Sequence, residues 1–188
     1  MSQLPKNAKE IREKYHEQED KRDYTITHSR ELEKISKHAI HLAHEEKTAE
    51  AKKRLQEVHK IQKNIEEKGD STQPSYKHAL EEYVEARTLL AFQEKHTLPT
   101  PQELGVDEET YYAGLSDLTG ELTRLATRAA IKQHQAVIQE AHALTQDIHA
   151  ELLQLTLRNN HLRKKADSVK YNLNKLEQLQ YEQTLRNK

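Results

Sequence analysis

The sequence predicts an all-α protein, a bundle with several long helices. Three observations carry that prediction. Glu, Lys, Gln, Leu, Ala and Arg dominate the 188 residues, and all are strong helix formers. Gly and Pro number four each, too few for a turn-rich β fold. The apolar residues, mostly Leu, Ala and Ile, recur at helical rather than alternating spacing.

A first helix is expected from about Pro5 to His44, with Ile11, Tyr15, Tyr24, Leu32, Ile35, Ala39, Ile40 and Leu42 among its apolar positions. A second, from about Thr48 to Lys68, carries Ala51, Leu55, Val58, Ile61 and Ile65 at helical period. Gly69 to Ser75 reads as a loop. A third helix runs from about Ser75 to Lys95 and is interrupted by Leu98-Pro99-Thr100-Pro101. There Thr100 offers an N-cap, Pro101 an N1 residue and Glu103 an N3 carboxylate, which together make a capping box, and the short turn stops at Gly105. Asp107 caps the next helix, expected to reach about Arg128. Gly114 and Gly120 lie inside it. Each costs about 1 kcal/mol against alanine, so they mark either close approach of a neighbour or a tolerated cost. Another helix covers about Ile131 to Leu157, with no Gly or Pro marking the break before it. Arg158-Asn159-Asn160 is the expected junction to the last helix, which runs to about Leu185. Leu155, Leu162, Val169 and Leu176 recur every seven residues, with Ala166 and Leu173 beside them, a seam for packing within the chain or across a subunit interface. That makes six to seven helices in one domain, residues 1–188.

Composition narrows the function. Only 34% of the residues are hydrophobic and the mean hydropathy is -1.05. So thin a core favours self-association. Lys plus Arg total 30 against 31 acidic residues, so a nucleic-acid partner needs a local basic surface and not a global one. The absence of Cys removes disulfide and thiolate chemistry and suits a reducing compartment; a cytoplasmic location is expected. The N-terminus has no apolar h-region and no stretch approaches 18 apolar residues, so neither standard secretion nor membrane spanning is expected.

Two pairs of carboxylates stand inside otherwise apolar helical stretches. Glu82 and Glu85 lie in ALEEYVEARTLLAF, Asp117 and Glu121 in YYAGLSDLTGELTRL. Spacings of three and four put each pair on one helical face. Glu82 falls in the stripe Ala79, Glu82, Ala86, Leu89, and Glu121 in the stripe Gly114, Leu118, Glu121, Leu125. A carboxylate facing an interior is costly unless something positive meets it. If the two helices pack antiparallel, four oxygen-bearing side chains converge, a set suited to a hard cation such as Mg²⁺. On spacing alone, a solvated acidic face remains open.

No phosphate-binding GxxxxGK[ST] loop, GxGxxG, HExxH or GxSxG occurs. His38, His41 and His44 step by three along the first helix, but no third and fourth zinc ligand is marked. Arg163-Lys164-Lys165 and Lys52-Lys53-Arg54 fit phosphate contacts or solvated faces. Tyr83, Tyr111 and Tyr112 fit base-stacking platforms or a core edge with a wet hydroxyl.

At these residues the chain resembles the translin superfamily, and within it the Trax (translin-associated factor X) branch. SRELEKISKHAIHLAH (Ser29 to His44) resembles the Trax pattern of Ser-Arg, Ser-Lys six residues after the Arg, then Ile and a terminal His. LEEYVEA (Leu80 to Ala86) resembles the segment bearing the two Trax glutamates, and DLTGEL (Asp117 to Leu122) matches its Trax counterpart nearly letter for letter. LRNNHLRKKADSVKYNLNKLEQ (Leu157 to Gln178) resembles the last helix of both branches. The compact length is similar to that of prokaryotic-type members. The Gln- and His-rich stretch RAAIKQHQAVIQEAHALTQDIH matches the family poorly.

The resemblance implies a translin-like bundle of about seven helices that assembles into a barrel-like oligomer, commonly an octamer, enclosing RNA. Trax is the catalytic branch, a Mg²⁺-dependent endoribonuclease of single-stranded RNA. Its acidic residues correspond here to Glu82, Glu85 and Asp117, with Glu121 as a further member. Translin itself binds nucleic acid without those acids, so their retention favours the catalytic reading over a binding-only one. Mg²⁺ is the implied cofactor, with Mn²⁺ as a substitute. Single-stranded RNA and further copies of the chain, or a translin-like subunit, are the implied partners. Arg30, Lys37 and Arg124 share helices with the matched motifs and are candidates for holding phosphates, or for salt bridges to the many glutamates.

Overall fold

The computed structural model describes residues 5–158 and 160–186, and among them every regular element is a helix. The order is α1 (Ala8–His44), α2 (Thr48–Leu55), α3 (Val58–Lys68), α4 (Pro74–Gln93), α5 (Pro101–Leu104), α6 (Glu108–Ile131), α7 (Gln135–Gln154) and α8 (Asn160–Arg186). No helix among the described residues is long and apolar enough to cross a membrane.

Expected helix signals fall where their chemistry places them. Thr100 accepts from the Glu103 backbone N–H while the Glu103 carboxylate accepts from the Thr100 N–H, a complete capping box. Gly105 ends α5 at φ 65°. The Asp107 carboxylate accepts from the Thr110 N–H and opens α6. Two boundaries differ from expectation. The expected second helix is two, α2 and α3, broken at Gln56-Glu57 with neither Gly nor Pro. The helix expected from Ile131 starts at Gln135, because α6 runs on to Ile131 and the chain turns at Gln133. The junction expected at 158–160 includes residue 159, which lies outside the described residues; α7 itself already ends at Gln154.

Three helices end alike. After α1, α4 and α6 the chain takes a left-handed residue, Glu46, Lys95 and Gln133, at φ 62°, 56° and 60°. In each, the following N–H reaches back over the last turn: Lys47 to Leu42 O, His96 to Ala91 O, His134 to Ala129 O. These are Schellman motifs built without glycine.

The helices that carry the acidic motifs run parallel. Glu33 meets His78, Lys37 meets Glu82 at 3.5 Å, and Gln93 Nε2 donates to Ala43 O at 3.0 Å, so α1 and α4 ascend together. Lys77 meets Asp107 and Val84 meets Gly114, so α6 follows the same direction. Lys165 meets Asp117 and Asn172 Nδ2 donates to Thr119 at 2.9 Å, which aligns α8. The antiparallel packing supposed for the α4 and α6 motifs is therefore replaced by a parallel one. The returns are made by α2 with α3, by the segment 94–107 and by α7. At the lower end of that first return, the Asp70 N–H donates to Thr25 Oγ1 at 2.8 Å.

The core lies between these helices. Leu32, Ala39, Leu55, Ile65, Tyr83, Leu89, Leu118, Leu122, Ile138 and Leu176 are among its buried side chains. The heptad seam of the last helix faces this interior: Leu162, Val169 and Leu176 are buried within the chain. In α1 burial begins only at Thr25. Before it, the exposed helix carries ion pairs such as Glu10–Lys14 and Glu17–Lys21.

Candidate functional site

The α4–α6 crossing sets up the site. A Cβ built on Gly114 would lie 2.5 Å from Val84 Cβ and 2.8 Å from Glu81 O, so only glycine allows this approach. Gly120 is different: the nearest atom to a Cβ there is Asn172 Nδ2 at 3.8 Å. One of the two glycines thus serves close packing, and one does not.

One turn past the crossing, the carboxylates gather around Glu85. It is buried, and its carboxyl is pushed up to about 9 by burial first, then by the negative charges of Asp117, Glu82 and Glu121, with Lys165 opposing. No cation stands within ion-pair distance of Glu85 among the described residues. Burial also raises Asp117 and Glu82, although Lys165 and Lys37 respectively pull the other way. Glu121 behaves oppositely. Burial raises it, but its hydrogen bond and charge pairing with His44, together with Arg124, hold it below the ordinary carboxylate range.

Each outer carboxylate is turned towards a nitrogen-bearing side chain of its own. Lys165 Nζ bridges Asp117 and Glu81, the latter at 2.8 Å. His44 Nε2 donates to Glu121, and Arg124 stands 3.5 Å from the same oxygen. Lys37 lies 2.6 Å from Glu33 and 3.5 Å from Glu82. The oxygens of the four acids consequently spread apart. The group among the described residues whose ligand atoms lie within 4.8 Å of one another is Glu33, His78 and Glu82, and the Lys37 ammonium already serves both of its carboxylates.

Four expected residues, Glu82, Glu85, Asp117 and Glu121, are thus brought to one place. Of the candidate phosphate contacts, Lys37 and Arg124 form ion pairs at its edge, while Arg30 is exposed and bonds to no described residue. His41 is exposed and pairs with Glu45, so it shares no ligand position with the buried His44. Tyr83 is a core residue; Tyr111 is half-buried and donates to Pro99 O.

Three participants escaped sequence reasoning. Glu81 stood beside Glu82 with no mark of its own, yet it is buried and paired with Lys165 and with His161 at 2.9 Å. Lys165 looked like one member of a basic run. His44 closed a matched block, but its pairing with Glu121 is 77 residues away in sequence and left no local signal.

An oxygen-only donor set with a central carboxylate lacking a cation fits a hard divalent ion. Such an ion would have to draw the outer acids away from Lys37, Lys165 and His44.

Comparisons with known proteins agree with this frame. The model of the Translin family matches residues 20–187. Among solved structures, apo-NeC3PO superposes with a TM-score of 0.86 at 27% identity, covering 97% of this chain and 100% of that one. The AfC3PO–duplex RNA complex gives 0.83 at 20% identity, over 95% and 96% of the two chains. AfC3PO alone gives 0.80 at 21%, over 95% and 97%. At those identities the latter two speak for the fold only. No curated protein matches the chain in sequence.

Proposed function

Because the chain belongs to the Translin family, we propose that it is a Mg²⁺-dependent endoribonuclease acting on single-stranded RNA inside an oligomeric helical shell, with Glu82, Glu85, Asp117 and Glu121 as its metal-holding and catalytic acids. The carrying observation is Glu85, buried among three other carboxylates with no cation of its own. The Trax-like retention of these acids supports the same reading.

When bound, Mg²⁺ polarises the scissile phosphate and lowers the pKa of an attacking water. The chain supplies the rest. Glu82, Glu85, Asp117 and Glu121 would hold the cation. Glu85 or Glu121 would take the proton of the attacking water. Lys165 fixes Asp117 from α8, and Arg124, exposed beside Glu121, faces an incoming phosphate. Exposed Tyr171, Tyr181 and Leu185 on α8 and Ile131 at the end of α6 offer apolar surface for assembly with further copies.

One observation favours a second reading, a non-catalytic oligomeric binder of single-stranded RNA or DNA: the outer acids are already engaged by Lys37, Lys165 and His44. Cleavage of a labelled single-stranded RNA, with Mg²⁺ and with EDTA, beside the Glu82→Ala/Glu85→Ala double variant, separates the two. Mg²⁺-dependent cleavage lost in the variant is the expected result. Binding without cleavage under Mg²⁺ and Mn²⁺ would establish the binder instead.

A further inference from the structure

Beyond the acids, a groove of about 670 Å³ opens where α1, α4 and α6 end in their three Schellman turns and α7 begins. Phe92, Leu125, Ala129 and Val137 make its apolar wall. The volume suits a nucleobase with its sugar, a planar apolar body that needs polar contacts only along its edge.

The polar contacts are there. Gln93 and His44 both line the groove, and each has a buried side-chain atom with no hydrogen-bond partner: Gln93 Oε1 and His44 Nδ1. Gln93 Nε2 is committed to Ala43 O, so its remaining atom can only accept. The His44 side chain is 1% exposed, and its Nε2 is committed to Glu121. Buried polar atoms without partners are rare in folded proteins, because each forfeits a hydrogen bond to water. Gln93 Oε1 can only accept and so points to a ligand that brings a donor, while His44 Nδ1 offers a second polar partner beside it.

Charge completes the picture. Lys95 and Lys132 at the rim are paired with Glu140 and Glu46, at 2.9 and 3.0 Å. Arg128, exposed on the same rim, donates to His44 O and has no carboxylate within ion-pair distance among the described residues. It is placed for a phosphate. His44 links the two places, since it lines the groove and bonds Glu121.

We propose that this groove is a nucleobase subsite that takes the base next to the scissile phosphate of a bound RNA strand, with a preference for bases carrying an exocyclic amine. An exocyclic amine presents two N–H donors. Uracil presents one, flanked by carbonyl oxygens that would face Gln93 Oε1. The inference rests on the RNA-cleaving reading of the neighbouring acids and adds base selectivity to it.

The test is fluorescence anisotropy with labelled hexanucleotides of A, C and U, measured on the full-length protein in EDTA so that binding is read without cleavage. Wild type is compared with Gln93→Met, which keeps volume and removes the acceptor, and with Ala136→Trp, which fills the groove from an exposed position. Expected are a preference of about fivefold or more for A and C over U in wild type, and its collapse in both variants. Equal affinity for the three oligomers, no binding of any, or a preference unchanged in both variants overturns the proposal. So does an Ala136→Trp protein that falls to a smaller species on sedimentation while Gln93→Met keeps the preference, which would give the groove to a second copy of the chain. The Mg²⁺ cleavage assay keeps the two readings apart. Cleavage without base preference removes the groove assignment alone, and base preference without cleavage removes the nuclease alone.

Discussion

Gly114 of α6 lies against Val84 of α4 so closely that a Cβ on the glycine would sit 2.5 Å from Val84 Cβ. Gly114→Ala must push the helices apart at the point that brings Glu85 to Asp117, and is expected to destabilise the chain by about 2–3 kcal/mol. Gly120→Ala, with 3.8 Å to the nearest atom, is expected to stabilise it by about 0.5–1 kcal/mol through helix propensity. Thermal melts of the two variants, shifting in opposite directions, check the pair.

The metal-free protein should lose stability as pH rises. Glu85 keeps its proton in the folded chain up to about pH 9, whereas its ordinary value is 4.5. Between those values the folded state binds more protons than the unfolded one, so the stabilisation is full below about 4.5 and drains away towards 9. Glu85→Gln removes the dependence and should be the more stable protein at pH 8 in EDTA, by about 1–3 kcal/mol. Urea titrations across pH 5–9 would show a slope in wild type and a flatter line in the variant; parallel lines would refute the assignment.

Mg²⁺ should reverse that loss. A cation that binds only the folded chain stabilises it by about 2.7 kcal/mol at a hundred times its dissociation constant. Because Glu85 must give up its proton to bind, the gain should grow from pH 6 to pH 8. Differential scanning calorimetry with and without Mg²⁺ reads this directly. The gain should vanish in the Glu82→Ala/Glu85→Ala protein.

Lys165 is expected to matter more than its place in a basic run suggests. It joins buried Glu81 to Asp117 across α4, α6 and α8. Lys165→Met strands two carboxylates and should cost about 3 kcal/mol, much of it recovered when Glu81→Gln is added. Lys164→Met, on the exposed side of the same run, should be silent within about 0.5 kcal/mol. Denaturant melts of wild type, Lys165→Met, Glu81→Gln and the double variant form the cycle, with Lys164→Met as the control.

The sequence made the helices, the capping box at Thr100 and the four acids legible, because each is written in local spacing. The break before α7 was not legible, since Gln133 takes a left-handed position that glycine usually marks. The break between α2 and α3 carries no Gly or Pro either. Helix direction is set by how far the segment 94–107 travels back along α4, and no pattern within a helix encodes that. The acids' partners were hidden for a related reason. Lys165 and His44 come from helices 48 and 77 residues away, so their roles exist only after docking.

The parallel course of α1, α4, α6 and α8 bears on how the chain folds. An up-and-down bundle closes neighbour on neighbour through short turns, so its contact order is low and it folds fast. Here each pair of site-bearing helices is separated by a full return segment, and loop-closure entropy must be met before any of them dock. This protein should therefore fold more slowly than a hairpin bundle of its size. The acids would assemble only late, once chain segments remote in sequence have found each other, so no single hairpin cut from the sequence can carry the site.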